Sequence, residues 1–171
     1  MNRLRLWGLS AGIVLLMAAP LVVDAATVEL INTQGKPVGT AKVTDTANGL
    51  LIELNAESIR PGVHGLHIHA VGKCDPPDFK SAGGHFNPTS EKHGILNKDG
   101  KHAGDLPNLW VDQDGLLRVD LFSTEVSLSE VKTAILDDDG GALVLHEKRD
   151  DYTSDPAGNA GARIVCGVIK K

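Results

Sequence analysis

The sequence LLRVDLFS, residues 116–123, decides the fold class because apolar and polar residues alternate along it. Leu117, Val119 and Leu121 fall on one face of an extended chain, and the charged Arg118 falls on the other. A period of two is typical of a half-buried β-strand, whereas an amphipathic helix repeats every ~3.6 residues. This stretch therefore predicts a strand with one face against a core and the other toward solvent.

Seven more segments have the composition of short strands, and turn residues separate them. The dipeptides Asn48-Gly49 and Asp114-Gly115 each join two such segments in the manner of hairpin turns. The eight predicted strands span residues 27–32, 38–45, 50–55, 64–70, 109–112, 116–123, 142–147 and 163–169. Helical periodicity is weak, and many short strands are typical of a closed or nearly closed β structure. We therefore predict an all-β fold.

Two long segments do not follow the strand pattern. Residues 72–105 carry Gly, Pro, Asn, Asp and Lys, and residues 148–161 form a second stretch of this kind. Connections of this length are uncommon in a compact domain unless they have a function. The first contains His85, His93 and His102, so we expect these loops to form the functional part of the molecule.

The N-terminal residues 1–25 have the pattern of a signal peptide. Two arginines precede an apolar run over residues 6–23, and small residues lead to a cleavage site after Ala25. A single transmembrane anchor is the alternative, although glycine and proline interrupt the run. We expect residues 26–171 to form one exported domain, since this length suits a single hydrophobic core.

The charge of the chain argues against a polyanionic partner. Its 171 residues include 17 Lys and Arg against 22 Asp and Glu, a formal net charge of −5. The basic residues are scattered and only 4% of residues are aromatic, so no phosphate-binding stripe or base-stacking platform is visible. We therefore expect no nucleic acid partner and, once residues 1–25 are removed, no membrane association.

The chain has only two cysteines, Cys74 and Cys166. In an exported protein a disulfide between them would form and persist, which is the simplest interpretation. Two unpaired buried thiols or a soft metal site are the alternatives. Their wide spacing lacks the CxxC pattern of sulfur-bound zinc, which argues against the metal site.

His67 and His69 occupy alternate positions of a predicted strand. Their side chains leave the same face, roughly 7 Å apart along the backbone, which suits two imidazoles converging on one ion. Further candidate ligands are His85, His93, His102 and Asp105 in the first loop and His146 in the seventh predicted strand. Nitrogen ligands with a carboxylate suit zinc, whereas a set of imidazoles with an open position suits copper. His64 falls on the opposite face of its strand, which favours a structural hydrogen bond over ligation.

Four motifs carry a resemblance to a known family. They are HGLHIHAVGKC at residues 64–74, SAGGHFNP at 81–88, HAGDLPNL at 102–109 and GNAGARIVCGVI at 158–169. In this order, and within a match from about residue 27 to residue 169, they resemble the copper-zinc superoxide dismutases that bacteria secrete. The resemblance implies an eight-stranded antiparallel Greek-key β-barrel or sandwich. It also implies one copper and one zinc ion per subunit.

Carried over position by position, the resemblance divides the ligands into two sets that share one residue. The implied copper ligands are His67, His69, His85 and His146, and the implied zinc ligands are His85, His93, His102 and Asp105. His85 would bridge both ions, because a cation at each nitrogen stabilises an imidazole that has lost both protons. The resemblance implies that this bridge takes up and releases a proton during the cycle, and that zinc is structural.

Three more features match the family. Arg163 matches an arginine that guides the anionic substrate, and a surface arginine paired with an acid is the alternative. Asp150 matches an aspartate that links His67 to His93, with a solvated loop carboxylate as the alternative. The resemblance also implies that a Cys74–Cys166 bridge tethers the first loop to the barrel near Arg163.

The second loop departs from the longer, charged loop of eukaryotic members. Residues 150–163 contain no lysine, so Lys92, Lys101 or other lysines near the first loop are the candidates to steer the substrate instead. Ala157 stands where many members have a hydroxyl residue at the rim of the substrate channel. Trp110 lies in a predicted strand and suits either the core or a subunit contact.

The resemblance implies an oxidoreductase that converts superoxide into dioxygen and hydrogen peroxide. It implies secretion through the inner membrane to the periplasm of a Gram-negative cell, or otherwise to the exterior, and it allows a homodimer. The alternatives are a module that stores or delivers copper or zinc and a purely structural β-sandwich cross-linked by a disulfide. The four copper positions and Arg163 favour the enzyme.

Overall fold

The computed structural model describes residues 25–129, 134–137 and 139–170 of the chain. The predicted signal peptide lies outside this part, except for Ala25 at the start of the first strand. The strands are β1 Ala25–Asn32, β2 Pro37–Thr46, β3 Gly49–Ala56, β4 Gly62–His64, β5 Leu66–His69, β6 Leu109–Val111, β7 Leu117–Ser123, β8 Gly141–His146 and β9 Arg163–Ile169. The described residues form no α-helix, and none of their helices is long and apolar enough to span a membrane.

Alternating apolar residues of the strands form the core, as the sequence predicts. Val28, Val43 and Ile52 on β1, β2 and β3 are fully buried. Their neighbours Lys42 and Glu53 point outward and form an ion pair at 3.4 Å. Burying each large aliphatic side chain contributes about 1.5–3 kcal/mol, so the inward face stabilises the fold far more than the exposed ion pair.

All paired strands are antiparallel, and a small second sheet lies between the two edges of the large one. Seven strands are hydrogen-bonded in the order β5-β8-β9-β1-β2-β3-β7, and β4 pairs with β6 in a small second sheet. Since β4 leads into β5 and β6 lies beside β7, the small sheet joins the two ends of the large one. The β3–β7 and β5–β8 pairs unite strands that are not consecutive, as in a Greek key. The predicted all-β antiparallel fold is confirmed.

The predicted strand 64–70 is divided into two. The chain pairs with β6 up to His64 and with β8 from Leu66 onward. Gly65 lies at this change of partner, where an added Cβ would lie 3.2 Å from the Cβ of Asp150. A pattern of alternating residues does not reveal a change of partner, which is why eight predicted strands correspond to nine observed ones.

The two predicted loops connect β5 to β6 and β8 to β9, and the only helix among the described residues is the 3-10 turn Lys80–Ala82 in the first loop. A disulfide between Cys74 and Cys166, with an S–S distance of 2.02 Å, ties the first loop to β9. Phe79 of this loop is fully buried in a small apolar cluster with Cys166. The predicted disulfide is confirmed, and neither cysteine remains for a thiol or metal-binding role.

Candidate metal centre

Two neighbouring strands carry three of the predicted ligands. His67 and His69 lie on β5, His146 ends β8, and all three side chains are buried. The ring of His146 has its centroid 4.7 Å from that of His67 and 5.7 Å from that of His69. The period-two geometry of β5 and its pairing with β8 thus bring three imidazoles together.

The first loop folds back along β5 and adds His85 to these three histidines. The N–H of Phe86 donates to the oxygen of Ile68 at 2.8 Å, and the N–H of Ile68 donates to the oxygen of Gly104 at 2.9 Å. Gly104 comes so close that an added Cβ would lie 2.2 Å from the Ile68 oxygen. This contact holds the ring of His85 with its centroid 3.9 Å from that of His67.

His67, His69, His85 and His146 form the first cluster, whose ligand atoms all lie within 4.8 Å of one another. The buried nitrogens without a hydrogen-bond partner are Nδ1 of His67 and Nε2 of His69, His85 and His146. Leaving such a group unpaired costs about 1–3 kcal/mol, so four in one place are a large cost unless something binds them. Four converging imidazole nitrogens fit copper.

His85, His93, His102 and Asp105 form the second cluster. Oδ1 of Asp105 lies 2.9 Å from Nδ1 of His85, 3.0 Å from Nδ1 of His93 and 3.4 Å from Nδ1 of His102. Nδ1 of His102 lies 3.3 Å from Nδ1 of His85. In a tetrahedron with metal–ligand bonds of about 2.0–2.1 Å the ligands are about 3.3 Å apart, so this arrangement fits zinc.

His85 belongs to both clusters through its two nitrogens. Its Nδ1 lies in the second cluster, and its Nε2 is the unpartnered atom in the first. The side chain is almost fully buried, with 3% exposed. One imidazole ring therefore spans the short distance between the two candidate ions.

Three histidines of the first cluster, His67, His69 and His146, are uncharged at neutral pH before any ion binds. Burial lowers the pKa of His67 to about 4, that of His146 to about 3 and that of His69 to about 2, because the charged form loses its hydration. A metal binds only the deprotonated nitrogen of an imidazole. These three histidines are therefore ready to bind metal at neutral pH.

The second cluster has the opposite charge character. Burial disfavours the charged form of His93, but hydrogen bonds with Asp105 and Asp150 outweigh burial and raise its pKa to about 9. Burial likewise opposes ionisation of Asp105, yet its hydrogen bonds with His85 and His93 hold its pKa well below its usual range. The protonated ring of His93 lies between two carboxylates, and their negative charge favours a cation at this cluster.

Asp150 connects the two clusters from behind. Its Oδ2 lies 2.7 Å from Nε2 of His67, and its Oδ1 lies 3.1 Å from Nε2 of His93. Both contacts use the ring nitrogen that faces away from its cluster. Asp150 is fully buried, unlike the solvated carboxylate that the sequence left as an alternative.

Asn108 holds the backbone of Asp150 in place, a role that the sequence analysis missed. Its Nδ2 donates to the backbone carbonyl oxygen of Asp150 at 2.9 Å, and its Oδ1 accepts from the backbone N–H of Asp150 at 2.8 Å. The Asn108 N–H also donates to the hydroxyl of Tyr152 at 2.6 Å. Its position in the HAGDLPNL motif was the only sequence signal for this residue.

Arg163 lies beside the first cluster at an open cleft of about 390 Å³ that His69, His146 and Ala157 also line. Its guanidinium donates to the oxygens of Phe79 at 2.7 Å and Gly83 at 2.6 Å. It forms no ion pair with a described acidic residue, unlike the paired surface arginine of the alternative. Among the residues lining this cleft it carries the single permanent charge.

The lysines considered for steering lie elsewhere. Lys92 forms an exposed ion pair with Oδ2 of Asp155 at 2.9 Å, and neither Lys92 nor Lys101 lines the cleft. Asp155 has a second role, since its Oδ1 accepts the N–H of His93 at 2.7 Å and so ties the second loop to the first. The Asp-Pro dipeptide, typical of a turn, was the sequence signal that could have identified it.

The remaining sequence predictions concern residues outside the clusters. His64 belongs to none of the ligand groups among the described residues and makes hydrogen bonds to backbone oxygens, as predicted. Trp110 is 65% exposed on β6, so it is not part of the core of this chain.

Relatives and solved structures resemble the chain over most of its length. A copper-zinc superoxide dismutase of Aquifex aeolicus is 48% identical over 169 residues, which cover 97% of this chain and 99% of that protein. The crystal structure of a superoxide dismutase-like protein from Bacillus subtilis has a TM-score of 0.82 at 48% identity and covers 84% of this chain and 97% of that one. The copper-zinc superoxide dismutase from Brucella abortus has a TM-score of 0.71 at 31% identity, with coverages of 85% and 99%.

A family model agrees with these similarities. The model described as copper/zinc superoxide dismutase matches residues 37–169, which include both clusters, Asp150, Arg163 and the disulfide. The chain belongs to the copper/zinc superoxide dismutase family.

Proposed function

We propose that this chain is an exported superoxide dismutase with one copper and one zinc ion per subunit. The proposed copper ligands are the first cluster, His67, His69, His85 and His146, and the proposed zinc ligands are the second cluster, His85, His93, His102 and Asp105. The observation that carries the proposal is the set of four buried, unpartnered ring nitrogens next to a tetrahedral cluster that shares His85 with it. The position of Arg163 beside these ligands favours an enzyme over a metal-storage protein.

Copper held by the first cluster supplies the one-electron chemistry that converts two superoxide ions and two protons into dioxygen and hydrogen peroxide. His85 provides a place for one of those protons at Nε2, because its Nδ1 stays in the second cluster. Asp105 and His102 hold that side of the ring, so proton transfer at Nε2 needs no movement of the loop. Zinc has a structural role in this scheme.

Arg163 binds and orients the anionic substrate. Two of its five N–H donors are used by the oxygens of Phe79 and Gly83, which fixes the guanidinium and leaves the other donors for the cleft. A guanidinium keeps its charge throughout the cycle, so it attracts a small anion without being consumed. The half-buried position strengthens this attraction, since solvent screens it less.

The decisive experiment measures superoxide removal and metal content of the loaded protein and two variants. We expect His146→Ala to lose copper and activity. Arg163→Ala should keep both metals and lose about 10- to 100-fold in rate, the factor that corresponds to one charged hydrogen bond. Arg118→Ala, which removes an exposed arginine of β7, is the matched control and should change nothing.

The same experiment separates the enzyme from the storage alternative. A loaded wild-type protein that binds both metals but does not consume superoxide would identify a metal-binding module. Full activity in His146→Ala would show that the copper ligands are assigned incorrectly.

The proposal includes export directed by residues 1–25, with the mature chain 26–171 free of the membrane, in the periplasm if the cell is Gram-negative. The Cys74–Cys166 disulfide supports it, because such bonds persist in oxidising compartments. N-terminal sequencing of the protein recovered outside the cytoplasm should start after Ala25. Recovery of chains that still begin at Met1 would contradict this.

The proposal also includes a homodimer. Trp110 on β6 is 65% exposed next to Val63 of β4, and large exposed aromatic residues are enriched at interfaces. Analytical ultracentrifugation should give twice the mass of one chain for the wild type and the mass of one chain for Trp110→Glu. A monomeric wild type would exclude the dimer.

A further inference from the structure

Tyr152 is the only tyrosine of the chain and lies in the second loop, two residues after Asp150. Its hydroxyl oxygen accepts the backbone N–H of Asn108 at 2.6 Å, and its own backbone N–H donates to Oδ1 of Asp150 at 2.6 Å. Its carbonyl oxygen accepts the N–H of Leu96 at 3.1 Å. One residue of the second loop therefore bonds to its own loop, to the first loop and to the chain just before β6.

The backbone of Tyr152 has a conformation that side chains disfavour. Its φ is +66°, in the left-handed region that a bulky residue rarely adopts. Such a conformation persists only where the surrounding contacts impose it, and it is found mostly at functional sites. Gly94 supplies one of these contacts, because its backbone lies so close that an added Cβ would collide with the Tyr152 oxygen. The contacts around Tyr152 are therefore strong enough to hold it against its own preference.

The hydrogen bonds of Tyr152 and Asn108 form a closed set around Asp150. The side-chain amide of Asn108 binds the backbone N–H and the backbone oxygen of Asp150 at 2.8 and 2.9 Å. The hydroxyl of Tyr152 in turn fixes the backbone of Asn108, and its N–H fixes the carboxylate of Asp150. A tyrosine hydroxyl can accept a hydrogen bond and a phenylalanine ring cannot offer that oxygen, so the set is complete only with tyrosine at this position.

We propose that Tyr152 is a positioning residue for both metal sites and that its hydroxyl acts through Asn108 and Asp150. The Asp150 oxygen that accepts the N–H of Tyr152 also lies 3.1 Å from Nε2 of His93, and the other oxygen lies 2.7 Å from Nε2 of His67. A shift of this carboxylate turns both ligand rings, because the outer hydrogen bond of a ligand sets its orientation. This inference rests on the proposed roles of His67 and His93 as metal ligands.

A residue that only stabilised the second loop would behave differently from a positioning residue. Its loss would weaken metal binding by the same factor whether or not the carboxylate of Asp150 is present. Two residues that act through one contact instead have effects that do not multiply, because removing either one already removes the contact. The two roles are therefore separated by combining variants of Tyr152 and Asp150.

The test is a cycle of Tyr152→Phe, Asp150→Asn and their combination in the metal-loaded protein. The measurements are the retention of each metal during dialysis against increasing chelator and the copper EPR spectrum. We expect Tyr152→Phe to change the copper hyperfine splitting and to weaken retention of both metals about tenfold, the lower end of the effect expected when an outer partner of a ligand is disturbed. In the Asp150→Asn background the same change should have no further effect. Thr153→Val is the matched control and should behave as the wild type, because the neighbouring hydroxyl that it removes bonds to Asp151.

Retention of both metals by Tyr152→Phe at the level of the wild type would overturn the inference, and so would effects of Tyr152→Phe and Asp150→Asn that multiply. Where Asp150→Asn does not fold, Asn108→Ala provides the second background, because it removes the amide that links the hydroxyl to Asp150. An undiminished effect of Tyr152→Phe in that background would contradict the inference equally. A wild-type protein that binds neither metal would instead refute the proposed function, so the two failures are distinguishable.

Discussion

Oδ2 of Asp150 lies 2.7 Å from Nε2 of His67, so a residue of the second loop holds a β5 histidine from behind. The other oxygen of the same carboxylate lies 3.1 Å from Nε2 of His93. A buried carboxylate that accepts from two ligand rings fixes which nitrogen of each ring faces its cluster. The geometry of both proposed sites therefore depends on one side chain that binds neither metal.

Replacing this carboxylate should weaken both sites. Asp150→Asn keeps the shape of the side chain but replaces one accepting oxygen by a donating NH2 group. This donor would face the N–H of His67 or His93, so one of the two hydrogen bonds would be lost. We expect metal affinity to fall about 10- to 100-fold, measured by competition with chelators for zinc and copper separately. Asp120→Asn, on the exposed face of β7, is the control. Unchanged affinity for both metals would refute the positioning role of Asp150.

Gly158 should be essential for the contacts of Asp150, because its backbone lies very close to the Asp150 carboxylate. An added Cβ would lie 1.8 Å from Oδ1 of Asp150, and φ is +59°, a conformation that side chains disfavour. We expect Gly158→Ala to lower the melting temperature and zinc affinity together. Gly84→Ala is the matched control, because a Cβ there meets nothing within 4 Å. Equal behaviour of the two variants would show that the loop adapts without cost.

The strand pattern and the motifs predicted most of the fold and the candidate ligands, since burial alternates along strands and ligands are chemically distinctive. The division of strand 64–70 was missed because a change of hydrogen-bond partner leaves no mark on side-chain alternation. Asn108 and Asp155 were missed for a different reason. Each acts through the backbone of another residue, and such pairing depends on how two loops meet in space.

Removal of the disulfide should cost stability and activity without direct loss of ligands. The bridge joins residues that are 92 positions apart, and closing so long a loop stabilises a fold by about 4–5 kcal/mol on the chain-entropy model. It also anchors the segment that carries Phe79 and Gly83, whose oxygens hold Arg163. We expect the double variant Cys74→Ser, Cys166→Ser to have a lower free energy of unfolding in urea and a lower rate per bound copper. A rate per copper equal to that of the wild type would show that Arg163 is held without the bridge.

The pH dependence of the metal-free protein provides a test of the buried histidines. His67, His69 and His146 have folded pKa values of about 4, 2 and 3, below their ordinary value of 6.5. Between pH 6.5 and 4 the unfolded chain therefore binds protons that the folded chain does not, and stability falls as pH falls. His93 has the opposite sign, because its raised pKa of about 9 contributes stability that is present below pH 6.5 and lost as pH rises through 9.

The metal-free protein should thus be most stable near pH 6.5, because the three lowered histidines reduce stability below this pH and His93 loses its contribution between pH 6.5 and 9. After treatment with a chelator, we expect its melting temperature to fall from pH 6.5 to pH 5, and to fall less steeply in His146→Ala, because that variant has one fewer buried imidazole to protonate. The melting temperature of the metal-loaded wild type should vary less with pH near neutrality than that of the metal-free protein, since bound metal stabilises only the folded state. A melting temperature of the metal-free protein that stays constant or rises between pH 6.5 and pH 5 would mean that these histidines are not held neutral by burial.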